Sequence, residues 1–214
     1  MNAPSPINVR RMGLRDYEPV WRQMQAFTAA RDDTTPDELW LLQHSPVYTQ
    51  GQAGKPEHIL DPGPIPVINI DRGGQVTYHG PGQLVVYTLL DLARQRLGVR
   101  QLVSGLEQSV VDLLATFDIP AAADSKAPGV YVEGRKIASL GIRVRRGRCY
   151  HGLSLNVDMD LRPFLGINPC GHPSLEVTQL RDLGIEMSVE TAADTLLPHL
   201  CRHLGYRISE TGYH

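Results

Sequence analysis

Lys136-Ile137-Ala138-Ser139-Leu140-Gly141-Ile142-Arg143-Val144-Arg145-Arg146, then Gly147, then Arg148-Cys149-Tyr150-His151-Gly152-Leu153-Ser154-Leu155-Asn156 reads as two strands of one hairpin. Apolar and β-branched residues fill both arms, and the glycine between them supplies the turn. Just upstream, Gly129-Val130-Tyr131-Val132 reads as another short strand, with Glu133-Gly134-Arg135 as its turn. Strands joined this tightly pair antiparallel.

Outward from the hairpin the pattern changes period. Val99, Leu102, Val103, Leu106, Val110, Leu113, Leu114 and Phe117 recur at spacings of three and four, which predicts a helix with one apolar face. A second helix is expected from about Ser188 to Leu204, with Ser188 as N-cap and Gly205 as its stop. A third starts at Tyr17 and ends before Asp32-Asp33 and Pro36. Leu39 to Leu42, Pro66 to Ile70 and Leu84 to Leu90 are apolar runs of strand length. Gln50 to Pro66, rich in Gly and Pro, is expected to be a long surface loop. Helices and hairpins are interspersed without regular βαβ alternation. The expected fold is therefore α+β: a single domain over residues 1–214, with a mixed, mostly antiparallel sheet packed by helices.

The chain has 214 residues, 42% hydrophobic and 21% charged, a length and composition that suit one globular domain. No apolar run reaches membrane-spanning length, so no membrane association is expected. Arg10 and Arg11 have no apolar segment behind them, which argues against a secretory signal. Three cysteines, Cys149, Cys170 and Cys201, make no disulfide framework and no zinc spacing; they fit a reducing, cytoplasmic setting and no metal. A net charge of −2 does not favour nucleic acid.

Two stretches carry candidate chemistry. Arg72-Gly73-Gly74-Gln75-Val76-Thr77-Tyr78-His79-Gly80-Pro81-Gly82-Gln83 crowds polar side chains between glycines that let backbone approach a ligand. It is neither a Walker loop nor a GxGxxG turn. Asn168-Pro169-Cys170-Gly171-His172 places a cysteine on an irregular loop, whereas Cys201 lies in an apolar helix and reads as a buried core thiol. A nucleophilic cysteine needs a partner that takes its proton or favours its thiolate. His79, His151, His172 and Lys136 all qualify, although a lysine just after a turn reads by itself as solvated surface. Arg143 to Arg148 is a basic run that suits either solvent or an acidic protein partner.

At these motifs the sequence resembles the lipoyl(octanoyl) transferase family, octanoyl-[acyl-carrier-protein]:protein N-octanoyltransferases, from about Leu39 to about Leu180. The resemblance rests on Arg72–Gln83, Ala127–Val132, Lys136–Gly141, His151–Asn156 and Ile167–Gly171, all in order. It implies a fold like that of biotin and lipoate protein ligases. It implies that Cys170 carries the acyl group as a thioester and that Lys136 lowers the cysteine pKa and handles the proton. It implies that Arg72, Gly73, Gly74, Gln75, Val76, Thr77, Tyr78, His79, Ser139, Leu140, Gly141, Gly152, Leu153 and Ser154 line the acyl pocket. The implied donor is octanoyl-acyl carrier protein. The implied acceptors are lipoyl domains of 2-oxoacid dehydrogenase E2 subunits and the glycine cleavage H protein. No cofactor is required, because amide formation from a thioester is downhill without ATP. The competing readings are an ATP-dependent lipoate or biotin ligase on the same fold, a cysteine hydrolase, and a catalytically silent domain that binds an acyl carrier protein.

Overall fold

The computed structural model describes residues 4–124, 127–169 and 175–213. The chain opens with β1 (Ser5–Arg15), followed by α1 (Tyr17–Ala30), β2 (Asp37–His44), β3 (Val47–Gln50), β4 (Val67–Asn69), β5 (Val76–His79) and β6 (Gln83–Asp91). The one-turn helix α2 (Leu92–Gln95) is capped by the Asp91 side chain, which accepts from Arg94 N. Then come α3 (Val99–Ala115), β7 (Ala122–Ala123), β8 (Gly129–Val132), β9 (Arg135–Arg145), β10 (Arg148–Asn156), α4 (Val189–Leu204) and β11 (Tyr206–Tyr213). Ser188 caps α4 by accepting from Thr191 N, and Gly205 ends it in the left-handed region at φ 75°. The expected helices and the β9–β10 hairpin are all present.

The main sheet runs β11-β1-β2-β6-β10-β9-β8-β7. β1 pairs parallel with both β2 and β11, and the remaining pairs are antiparallel, so the sheet is mixed and mostly antiparallel as expected. A second sheet, β4-β3-β5, is smaller. β6 sits centrally and is buried along its whole length. Its Leu84, Val86 and Leu90 join Leu102, Leu106 and Val110 of α3 and Leu196 and Leu200 of α4 in one core. Its Val85, Tyr87 and Leu89 join Tyr17, Val20 and Met24 of α1 on the other face. Period-two alternation with both faces covered explains why β6 reads as an unbroken apolar run. The fold is α+β.

Five strands escape the sequence patterns, the two-residue β7 among them. β1 and β11 lie outside the expected elements, and β3 and β5 sit among turn-forming residues. No helix among the described residues is long and apolar enough to cross a membrane.

Candidate active site

The glycine-rich stretch is not a free turn. Its Val76 to His79 portion is β5, a fully buried strand paired with β3. Upstream of β5, Arg72 is buried. Its Nη2 donates to Thr49 O at 2.7 Å and Thr49 Oγ1 at 2.9 Å, and its Nη1 donates to Gly73 O at 2.9 Å. Gly73 N donates to Ile142 O at 3.0 Å, which ties the stretch to β9. A β-carbon on Gly141 would stand 2.9 Å from Arg72 Cδ, so the strand and the arginine share space that only glycine leaves open.

These contacts border a cavity of about 50 Å³ between the glycine-rich stretch, β9 and β10. Of the implied pocket residues, Arg72, Gly74, Gln75, Val76, Thr77, His79, Ser139, Leu140, Gly141, Gly152, Leu153 and Ser154 line it. Gly73 and Tyr78 do not. The Tyr78 ring instead packs on Tyr48 and Phe164, each at 5.5 Å between centroids. Gln75 also turns an oxygen outward, accepting from Lys55 N at 3.1 Å. Tyr17, Val85, Tyr87 and His151 line the cavity as well, and the sequence reading did not place them there. Tyr17 and Tyr87 look like core aromatics in sequence; His151 adjoins the Gly152-Leu153-Ser154 motif, and that adjacency was the available signal.

The histidines of this region are held neutral. Burial pushes His79 down to about 3 and His44 to about 4. His44 Nδ1 therefore donates to Arg15 O at 3.0 Å, and Nε2 accepts from Tyr87 Oη at 2.7 Å. Burial also pulls His151 below its ordinary value, against the opposing attraction of Asp71. Burial alone would raise Asp71, yet hydrogen bonds from His151, Tyr150 and Trp21 hold its carboxyl well below the usual range.

Lys136 is buried at 2% exposure, which overturns the solvated-surface reading of a lysine after a turn. Its Nζ donates to Pro128 O at 3.0 Å and sits 5.4 Å above the Tyr131 ring. Its backbone is paired on the other side: Lys136 N donates to Glu176 O at 2.8 Å, and Thr178 N donates to Lys136 O at 2.9 Å. Glu107 of α3 accepts from Gly129 N at 3.0 Å and braces the strand that carries Pro128 to the amine. Lys136 does not itself line the cavity, but lies three residues along β9 from Ser139, which does.

Cys170, with Gly171 and His172, lies outside the described residues. The described residues nearest to it in sequence are held: Asn168 N donates to His58 O at 2.8 Å, and Glu176 to Thr178 pair with Lys136. The other two cysteines are unsuited to nucleophilic work. Burial raises the Cys149 thiol to about 11, and it donates to Thr88 O at 3.3 Å. Cys201 is raised by burial too.

Comparison with known proteins agrees with this architecture. Residues 16–201 match the family of lipoyl protein ligase A/B catalytic domains. An octanoyltransferase of Stutzerimonas stutzeri (strain A1501) is 60% identical over 205 residues, covering 96% of this chain and 94% of that protein. One from Shewanella sp. (strain ANA-3) is 59% identical, covering 94% and 93%. Among solved structures, Ta0514 of T. acidophilum, a protein described as a putative lipoate protein ligase, superposes with TM-score 0.77 at 14% identity, over 95% of this chain and 88% of that one, which shows a shared fold. The chain belongs to the lipoyl protein ligase A/B catalytic-domain family and, within it, to the octanoyltransferases, acyl-transferring enzymes of protein lipoylation.

Proposed function

We propose that this octanoyltransferase takes its acyl group from an acyl carrier protein, holds it as a thioester on Cys170 and passes it to a lysine of a lipoyl domain. The observation that supports this reading is the buried Lys136 amine, fixed at the start of the strand whose next residues line an apolar-walled cavity. A buried lysine is costly unless it has work or partners.

The chemistry balances in two steps. The Cys170 sulfur attacks the donor thioester carbonyl, the bond to the carrier sulfur breaks, and the carrier leaves as a thiol after taking a proton. The lysine nitrogen of the acceptor then attacks the acyl-enzyme, the bond to Cys170 sulfur breaks, and an amide forms. A free thiol titrates near 8.5 and a free lysine near 10.4, so each nucleophile needs help at neutral pH. A lysine beside a thiol supplies it either as a cation that favours thiolate or as an amine that accepts a proton. Burying the acyl chain in the cavity contributes about 0.8 kcal/mol per CH₂. Arg72 to His79, Ser139 to Gly141 and Gly152 to Ser154 hold that chain; Tyr78 and Gly73 act indirectly, by bracing the wall. The sparse cysteine content suits a cytoplasmic enzyme.

The test is intact-protein mass spectrometry after mixing with octanoyl-acyl carrier protein and no ATP. The expected result is one added octanoyl group that maps to Cys170, is absent in Cys170→Ala, and disappears when a lipoyl domain is added. Transfer that demands ATP and survives Cys170→Ala would make the chain a ligase in mechanism. Release of free octanoate alone would make it a hydrolase.

A further inference from the structure

Tyr150 and His151 are consecutive on β10, and a regular strand would send them to opposite faces. Both reach Asp71 instead. Tyr150 Oη donates to Oδ2, and His151 Nε2 donates to Oδ1 at 3.0 Å. The cause is the His151 backbone, which sits in the left-handed region at φ 63°. A residue with a β-carbon enters that region only at a cost, and such strain persists where the surroundings enforce it. Here they do. Cys149 pairs with Leu90 and Gly152 with Tyr87, but the β10–β6 ladder lapses at the two residues between. Asp71 also accepts from Trp21 Nε1 at 2.9 Å and Gln25 Nε2 at 3.3 Å, so the carboxylate is held from α1 as well. The Tyr150 and His151 rings stack at 5.0 Å.

The displaced imidazole lines the cavity. Asp71 accepts the Nε2 proton, so Nδ1 of the neutral ring is a bare acceptor, buried and without a hydrogen bond among the described residues. The β9–β10 register fixes which end of the cavity this is. Ser154 pairs with Ser139, and His151 pairs with Ile142. At about 3.3 Å per residue, His151 lies roughly 10 Å along β10 from Ser154 and on the side away from Lys136. An extended eight-carbon chain is of similar length, on the order of 9 Å from seven carbon–carbon bonds of about 1.5 Å once the zigzag is allowed for. A chain attached near Lys136 and entering at Ser139 and Ser154 therefore ends at His151, among Tyr17, His79 and Tyr87.

We propose that His151, clamped by Asp71, is the floor of the acyl cavity and sets the upper limit of acyl length. The inference rests on the acyl-transfer reading above. An apolar side chain at the floor would rotate aside for two more methylenes. His151 cannot do so without giving up its bond to Asp71, a half-buried carboxylate that Tyr150, Trp21 and Gln25 hold in place. The strained backbone is thus spent on a wall that does not yield.

The test compares kcat/KM for six-, eight-, ten- and twelve-carbon acyl-carrier-protein donors. His151→Gly removes the imidazole and adopts φ 63° without strain. Its ten- to eight-carbon ratio is expected to rise about tenfold over wild type. Asp71→Asn keeps the shape, loosens the clamp, and is expected to raise the ratio about threefold. A folded His151→Gly with the wild-type ratio overturns the proposal; should that variant not fold, a wild-type ratio in Asp71→Asn overturns it. A wild type inactive with every donor would overturn the transfer reading and this inference with it, so the two failures are distinct.

Discussion

A β-carbon on Gly129 would stand 3.0 Å from Lys136 Nζ and overlap Lys136 Cε, so the space one residue leaves empty is the space the other fills. The same β-carbon would lie 2.6 Å from Ala138 O, and Gly129 has φ 151°, a conformation closed to other residues. Gly129→Ala must therefore push the lysine off Pro128 O. The expected outcome is a drop of about 10²-fold in octanoyl transfer, from misplacing one reacting group. Stability should fall by about 1–3 kcal/mol through backbone strain. Single-turnover kinetics and urea unfolding measure the two effects separately. Wild-type kinetics in a folded Gly129→Ala enzyme would remove Lys136 from the reaction.

Ser139 is the cleaner of two places to narrow the cavity. It lines the cavity, is half-buried, and pairs with Ser154 on β10 and Gly129 on β8. Ser139→Leu puts bulk where the acyl chain enters and should shift preference from eight carbons toward six. One methylene in an apolar pocket discriminates by roughly tenfold or more. Leu153→Phe aims at the same effect, but Leu153 also belongs to the core under α3 and α4, where overpacking costs about 1–3 kcal/mol. An unchanged six- to eight-carbon ratio in Ser139→Leu would show that the chain does not pass this residue.

The strong periodicities were legible and the irregular parts were not. α3, α4 and the β9–β10 hairpin follow from spacing alone, because their buried faces are made of large apolar residues in regular positions. β1 hides because only Ile7 and Val9 are fully buried, with Asn8, Arg10 and Arg11 between and beyond them. β5 hides because Gly73, Gly74, Gly80 and Gly82 flank a run that is itself β-favouring. At the site, the pocket segments came from the family resemblance, and all three contribute to the lining of one cavity. Lys136 reads as surface until Pro128, Tyr131 and Glu176 are seen around it. His151 is invisible to alternation, since only its positive φ turns it toward Asp71.

Asp37 is a structural hub that carries no part of the chemistry. Its carboxylate takes hydrogen bonds from Arg31, from Arg94 Nη2 at 2.7 Å, from Tyr206 Oη at 2.7 Å and from Asp91 N at 2.8 Å. It thereby joins the end of α1, β2, β6, α2 and β11. The Arg31 side chain has no exposed surface, so Asp37→Ala would leave a buried guanidinium without its counter-charge. Removing one partner of such a pair typically costs about 3–5 kcal/mol. The urea midpoint should fall accordingly, with chain-length preference unchanged in enzyme that remains folded. A wild-type midpoint would mean that the carbonyl oxygens of Leu89, Thr35 and Pro36, which also accept from Arg31, suffice to hold it.

Acid should destabilise this fold through its buried histidines. His44 and His79 titrate at about 4 and about 3 in the folded chain, against an ordinary value of 6.5, because burial excludes their charged forms. His151 is shifted in the same direction. Below pH 6.5 the unfolded chain binds protons that the folded chain refuses. The stability these rings contribute is therefore complete above pH 6.5 and is lost as pH falls toward 4 and 3. Each ring contributes a slope of up to about 1.4 kcal/mol per pH unit. Unfolding free energy measured in urea should decline steadily from pH 6.5 to 4.5, and His44→Gln with His79→Gln should flatten the decline. A flat profile in the wild type over that range would mean that the rings gain protons in place, through water reaching Tyr17 and Tyr87.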